Sequence, residues 1–231
     1  MSTALKPILF VLTSQATKGA SGEPTGYYLS EVTHPLAELD EAGLTVEFAS
    51  IAGGEPPVDG MDLTDPINAR YWNDDTFRAA VRQTRQLAEV DASRYGGVFF
   101  AGGHGTMWDF PDSPVVQLVA REIYEAGGLI GAVCHGPSAL VNVKLSSGRY
   151  LVDGKRVAAF TDDEERAVKL ESVVPFMLAS RLQQRGARHQ PAPNWHSQVA
   201  IDGRLITGQN PQSATAVGAA MREALTAVTQ T

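Results

Sequence analysis

Short unbroken apolar runs alternate along this chain with longer stretches in which apolar residues recur every three or four positions. "PILFVLTS" (7–14), "LTVEFASI" (44–51), "GGVFFAG" (96–102) and "LIGAVC" (129–134) are runs of the first kind. Each is flanked by polar or glycine-rich turn formers, the pattern of a strand buried on both faces. "TGYYLSEVTHPLAELDEAG" instead keeps helical spacing through Tyr28, Val32, Leu36 and Leu39, with a stop expected at Gly43 and a bend or break at Pro35. Further helical patterns run roughly over 75–90, 113–126, 162–184 and 211–228. Strands alternating with helices predict βαβ units and a mostly parallel sheet covered on both faces. In such sheets the ligand crevice lies at the carboxyl ends of the strands, which draws attention to "FFAGGHG" and "AVCHGP".

Two Asp-Gly pairs set between alternating apolar residues, in "YLVDGKRVAAFT" and "QVAIDGRLITGQ", predict β-hairpins. The Gly-, Pro- and Asp-rich segment 52–74 reads as a long loop. With 231 residues and no internal repeat, the chain is expected to form one domain spanning 1–231. A hydrophobic content of 43% and a charged content of 19% are those of an ordinary globular protein. A net charge of -7 with no basic run argues against nucleic acid as a partner. "ILFVL" is too short to span a bilayer, so no membrane partner is expected. The lone cysteine offers neither an internal disulfide nor a zinc-ligand spacing, and a reducing, cytoplasmic location is the expectation.

That cysteine, Cys134, ends a strand-like run and precedes His135-Gly136-Pro137. A tight strand-to-helix turn presents its apical residue to the crevice and demands small neighbours, here Ala132 and Gly136. If Pro137 opens a helix, the dipole at its N-terminus lowers the thiol pKa. The adjacent imidazole suits nucleophilic thiol chemistry, although most lone cysteines are merely small buried apolar residues. The glycines of "FFAGGHG" can aim backbone N–H groups at an oxyanion, or simply form a turn. The acidic residues Asp162, Asp163, Glu164 and Glu165 open a predicted helix, where the dipole favours them without any function. Residue types and spacing do not choose a partner acid among them.

Taken together, "AVCHGPSAL", "AGGHGTMWDFPD", "SEVTHPLAEL" and "DGRLITGQNPQSA" resemble the DJ-1/PfpI superfamily, in its Hsp31-like branch related to class I glutamine amidotransferases, over nearly the whole chain. The resemblance implies an α/β flavodoxin-like sandwich, with a mostly parallel central sheet, helices on both faces and added β-hairpins. It implies Cys134 as nucleophile, His135 as proton carrier and Glu165 as the acid orienting it, with Glu164 or Asp162 the alternatives under a different loop register. Glu31 matches a glutamate lying against the sulfur, which must be protonated when the thiolate forms. Gly103 and the His135 amide match oxyanion donors, His104 matches the histidine of the GGHG motif, and Trp108 and Trp195 fall where pocket walls are expected. The implied activity is that of a cofactor-independent glyoxalase III-like enzyme acting on a small aldehyde, with His135 or Glu31 moving a proton from C1 to C2. A homodimer is implied too. The chain lacks the lid segment of the larger bacterial relatives, so metal binding is not carried over. Hydrolysis of amides or peptides by the same residues is one alternative, and a holdase chaperone or redox sensor another.

Overall fold

The computed structural model describes residues 5–227. The strands are β1 (Ile8–Leu12), β2 (Tyr27–Tyr28), β3 (Val46–Ser50), β4 (Val58–Asp59), β5 (Arg85–Gln86), β6 (Gly97–Phe100), β7 (Leu129–Val133), β8 (Arg156–Val157), β9 (Arg188–His189), β10 (Val199–Asp202) and β11 (Leu205–Gly208). The α-helices are α1 (Ser30–Glu41), α2 (Pro66–Trp72), α3 (Asp75–Arg82), α4 (Thr106–Asp109), α5 (Pro114–Glu125), α6 (Asp162–Ala167), α7 (Leu178–Gln184) and α8 (Ala214–Ala227). Seven strands form one sheet in the order β10-β11-β7-β6-β1-β3-β5. All its pairings are parallel except that of β10 with β11.

The unbroken apolar runs have a simple cause. In β1, Leu9 and Val11 enter the core on one face of the sheet, while Ile8, Phe10 and Leu12 enter the core on the other. β6 divides in the same way, Val98 and Phe100 against Phe99, and so does β7, Ile130 and Ala132 against Leu129 and Val133. Helices α5 and α7 cover the first face, α1 and α8 the second. A strand covered on both sides has no solvent face on which to place polar residues.

Several expectations are corrected. Pro35 does not break α1, which runs continuously from Ser30 to Glu41 and stops before Gly43 at φ +67°. The 52–74 segment is not all loop, because Asp65 caps α2 through the N–H groups of Ile67 and Asn68, with Pro66 at the first helical position. The pattern over 75–90 is helical only to Arg82, after which the chain joins the sheet edge as β5 beside β3. The segment "YLVDGKRVAAFT" makes no hairpin; Gly154 donates to the Gly186 carbonyl, and β8 pairs in parallel with the distant β9. The predicted 162–184 helix is two helices, α6 and α7, with Lys169 in left-handed backbone between them. The last helix starts with a 3-10 turn at Pro211–Ser213, and its expected end at Val228 lies outside the described residues. The "QVAIDGRLITGQ" hairpin is present as β10 and β11. Among the described residues no helix is long and apolar enough to cross a membrane.

Helices α1 and α8 approach closely at Pro35 and Gly218, where an added Cβ would lie 2.6 Å from the Pro35 Cα. A glycine inside an exposed helix is normally improved by alanine by about 1 kcal/mol. Here backbone blocks the methyl group, so Gly218→Ala is expected to destabilise the protein by about 1–3 kcal/mol, read as a lower urea midpoint. A raised midpoint would show that the two helices separate freely.

Candidate active site

β7 delivers Cys134 to the carboxyl edge of the sheet, in left-handed backbone at φ +60°. A non-glycine residue there carries about 1–2 kcal/mol of strain. Two backbone hydrogen bonds hold it, from the Cys134 N–H to the Gly208 carbonyl at 2.9 Å and from the Phe160 N–H to the Cys134 carbonyl at 2.9 Å. Small neighbours are obligatory: a Cβ on Gly136 would sit 2.1 Å from the Phe100 oxygen, and one on Gly102 would sit 2.6 Å from the Val133 oxygen. The segment after the elbow is a five-residue 3-10 turn, Gly136–Leu140, not the α-helix on which the dipole argument rested. Burial pushes the Cys134 thiol well above its ordinary value, and charge on Glu31 would push it further. Activation therefore depends on a side-chain proton acceptor.

His135 supplies one. Its Nδ1 lies 3.3 Å from Cys134 Sγ, and its Nε2 lies 2.7 Å from Glu165 Oε2. Phe160 and His104 flank the ring, with centroids at 4.3 and 4.0 Å. The other Glu165 oxygen, Oε1, meets His104 Nε2 at 2.8 Å. An ionised carboxylate only accepts, so both rings carry their proton on Nε2 and leave Nδ1 to act as acceptor. Burial alone would raise the Glu165 carboxyl, but the electrostatic pull of His135 and the hydrogen bonds from both histidines outweigh it and hold the pKa at about 2. Burial and repulsion from His135 lower His104 to about 4.

The other acids at the start of α6 have different tasks. Glu164 Oε2 accepts from Thr161 N and Oγ1 in a capping box. Its Oε1 accepts from Trp195 N at 2.9 Å, Gln209 Nε2 at 3.1 Å and Asn210 Nδ2 at 2.8 Å. Asp162 accepts from the Ser180 hydroxyl. Neither is hydrogen-bonded to His135, whereas Glu165 is.

Glu31 is fully buried, and the Cys134 thiol and Gly102 amide lie against its carboxyl, yet neither oxygen completes a hydrogen bond of normal geometry. Burial raises its pKa from 4.5 to about 8. It is therefore a neutral acid beside the sulfur, which spares the thiolate a second negative charge.

Gly103 at φ +105° is pressed against the Gly26 carbonyl, 2.2 Å from where a Cβ would stand. Its N–H has no protein acceptor among the described residues, as an oxyanion donor requires. Trp195 is 42% exposed with its ring 5.9 Å from Phe160, so it borders the site from outside. Trp108 packs instead under the turn at Gly19, where a Cβ would lie 2.6 Å from its Nε1. Sequence reasoning missed Phe160, the platform under His135; the one signal for it is an aromatic directly before the helix cap Thr161. His104, His135 and Glu165 also offer ligand atoms within 4.8 Å of one another, enough to hold a cation, which would have to displace both ring–carboxylate hydrogen bonds.

The model of the DJ-1/PfpI family matches residues 24–224. The protein named glutathione-independent glyoxalase HSP31 of Saccharomyces cerevisiae is 32% identical over 227 residues, 91% of this chain and 94% of the relative. The crystal structure of Francisella tularensis Rapid Encystment Protein 24 KDa aligns with a TM-score of 0.92 and 39% identity, over 96% of this chain and 99% of the other. Glyoxalase III from Candida albicans aligns with a TM-score of 0.87 and 27% identity, over 95% and 97%.

Glu31 holds its proton to about pH 8 when folded but only to about 4.5 as an ordinary carboxyl. The folded state binds more protons between these values, so Glu31 costs stability as pH rises through that window. Glu31→Gln, which keeps the shape of the neutral acid, is expected to remove this slope. Urea midpoints of the wild type should fall relative to the variant from about pH 5 to about pH 8. Parallel curves would mean that Glu31 is ionised throughout.

Proposed function

The chain belongs to the DJ-1/PfpI family, and on that premise we propose that it is a glutathione-independent glyoxalase converting methylglyoxal or glyoxal to the hydroxy acid through Cys134. The observation that carries the reading is the buried Cys134–His135–Glu165 relay, at 3.3 and 2.7 Å, with the neutral carboxyl of Glu31 against the sulfur. Relatives named as glutathione-independent glyoxalases over most of the chain support it.

In this mechanism the thiol proton passes to His135 Nδ1 and the sulfur adds to the aldehyde carbon C1. The carbonyl electron pair moves to oxygen, which takes the proton back from His135 and leaves a hemithioacetal. A base removes the C1 proton, and that bond's electrons form a C1–C2 double bond as charge moves to the C2 oxygen. Gly103 N–H and the His135 amide serve as donors to the developing oxyanion. Protonation at C2 and return of a carbonyl at C1 give a thioester, and water releases the hydroxy acid and the thiol. The cysteine takes the place of glutathione as the sulfur nucleophile. Trp195 forms an outer wall of the site beside Phe160. Residues 1–231 act as one domain, and the working form is a cytoplasmic homodimer, in a reducing setting that keeps the lone thiol available.

Purified protein supplied with methylglyoxal, without glutathione, is expected to form lactate. Cys134→Ala should abolish turnover, and Glu165→Gln should lower kcat by about 10²–10⁴-fold by removing the anion that orients and supports His135. Absence of lactate from folded wild type with a reduced thiol would overturn the proposal.

A further inference from the structure

The His135–Glu165 pair accounts for one of the two imidazoles on this carboxylate. The second, His104, is held as firmly: Nε2 lies 2.8 Å from Glu165 Oε1, and its ring is 4.0 Å from that of His135. Both rings turn Nε2 toward the same carboxylate, so their opposite edges, which carry Nδ1, lie away from it. On His135 that nitrogen meets the sulfur. On His104 it meets no protein group among the described residues, and it is not sealed in, since the only unpartnered, fully buried side-chain oxygens or nitrogens there are those of Glu31. The His104 side chain is 17% exposed. A purely structural histidine would not need a free, accessible lone pair on a ring packed against the imidazole that meets the nucleophile.

We propose that His104 is a second catalytic base, whose Nδ1 takes the C1 proton of the hemithioacetal and returns it to C2. This inference rests on the glyoxalase reading above.

One carboxylate can support one imidazolium at a time. While the thiolate exists, His135 carries the proton and His104 stays neutral, in keeping with the burial and the repulsion from His135 that together lower its pKa. Once His135 has given its proton to the hemithioacetal oxygen, that repulsion is gone and Glu165 can support a cation on His104. His104 Nδ1 then accepts the C1 proton, and the electron pair left behind forms the enediolate. The C1 hydroxyl proton moves to the C2 oxygen, the C1 carbonyl forms, and His104 delivers its proton to C2. Glu31, protonated up to about pH 8, carries its proton rather than a basic charge over the neutral range.

The test is His104→Gln. The glutamine amide can reach the place of Nε2 and keep the hydrogen bond to Glu165, but it has no basic nitrogen. Lactate formation from methylglyoxal should fall by about 10²-fold or more in kcat. The rate of Cys134 alkylation by iodoacetamide, which reports the thiol, His135 and Glu165, should stay at the wild-type value. Wild-type kcat in His104→Gln would overturn the role of His104 while leaving the glyoxalase reading intact. No lactate from wild type would overturn both. Should His104→Gln fail to fold, His104→Ala serves: restoration of its turnover by added imidazole supports the role, and no restoration overturns it.

Discussion

The Glu165 carboxylate is the fixed point of the site. It is almost wholly buried and accepts one hydrogen bond per oxygen, from two different histidines. A buried anion is costly unless paired, and here pairing keeps its pKa near 2, so the charge persists throughout the working range. The tautomer of each ring follows from that charge, and so does the direction in which each can pass a proton. Losing the anion would leave two imidazoles side by side with no hydrogen bond to fix either Nε2.

Around this anion the fold satisfies two opposing demands. The thiol must be reachable and activated, yet it sits in strained backbone among apolar residues that disfavour a thiolate. The strain is held by hydrogen bonds to Gly208 and from Phe160, at the ends of different segments, so the elbow exists only in the assembled sheet. The electrostatic penalty is met by a neutral Glu31 on one side and an acceptor imidazole on the other. Glu164, next to Glu165, draws the Trp195 loop, Gln209 and Asn210 onto the start of α6, tying the acid to the strand end that also holds the cysteine.

Legibility from the sequence follows the range of the physics. The buried strands β1, β6 and β7 were readable because a strand covered on both faces has to be continuously apolar, and the β10–β11 hairpin because Asp-Gly fits its turn. The same Asp-Gly signal misled at Asp153, where Gly186 lies over the turn and β8 pairs with a strand from far along the chain. Helix ends at Arg82 and Ala167 were misplaced because long-range pairing at β5 and the turn at Lys169 override local periodicity. Glycines at 102, 103 and 136 announced a crowded turn, but what crowds them is visible only in space.

By itself, then, the sequence determined the alternation of strands and helices, the sharp turn at Cys134 and the neighbouring imidazole, since these are local matters of apolar period, glycine placement and adjacency. The tertiary structure alone decided which of the acids at the start of α6 meets His135, that His104 shares it, that Glu31 is sealed away unpartnered, and that the thiol is raised rather than lowered. Those outcomes depend on burial and on distances of a few ångströms between segments 30 or more residues apart, as between His135 and Glu165, and no local pattern carries that information.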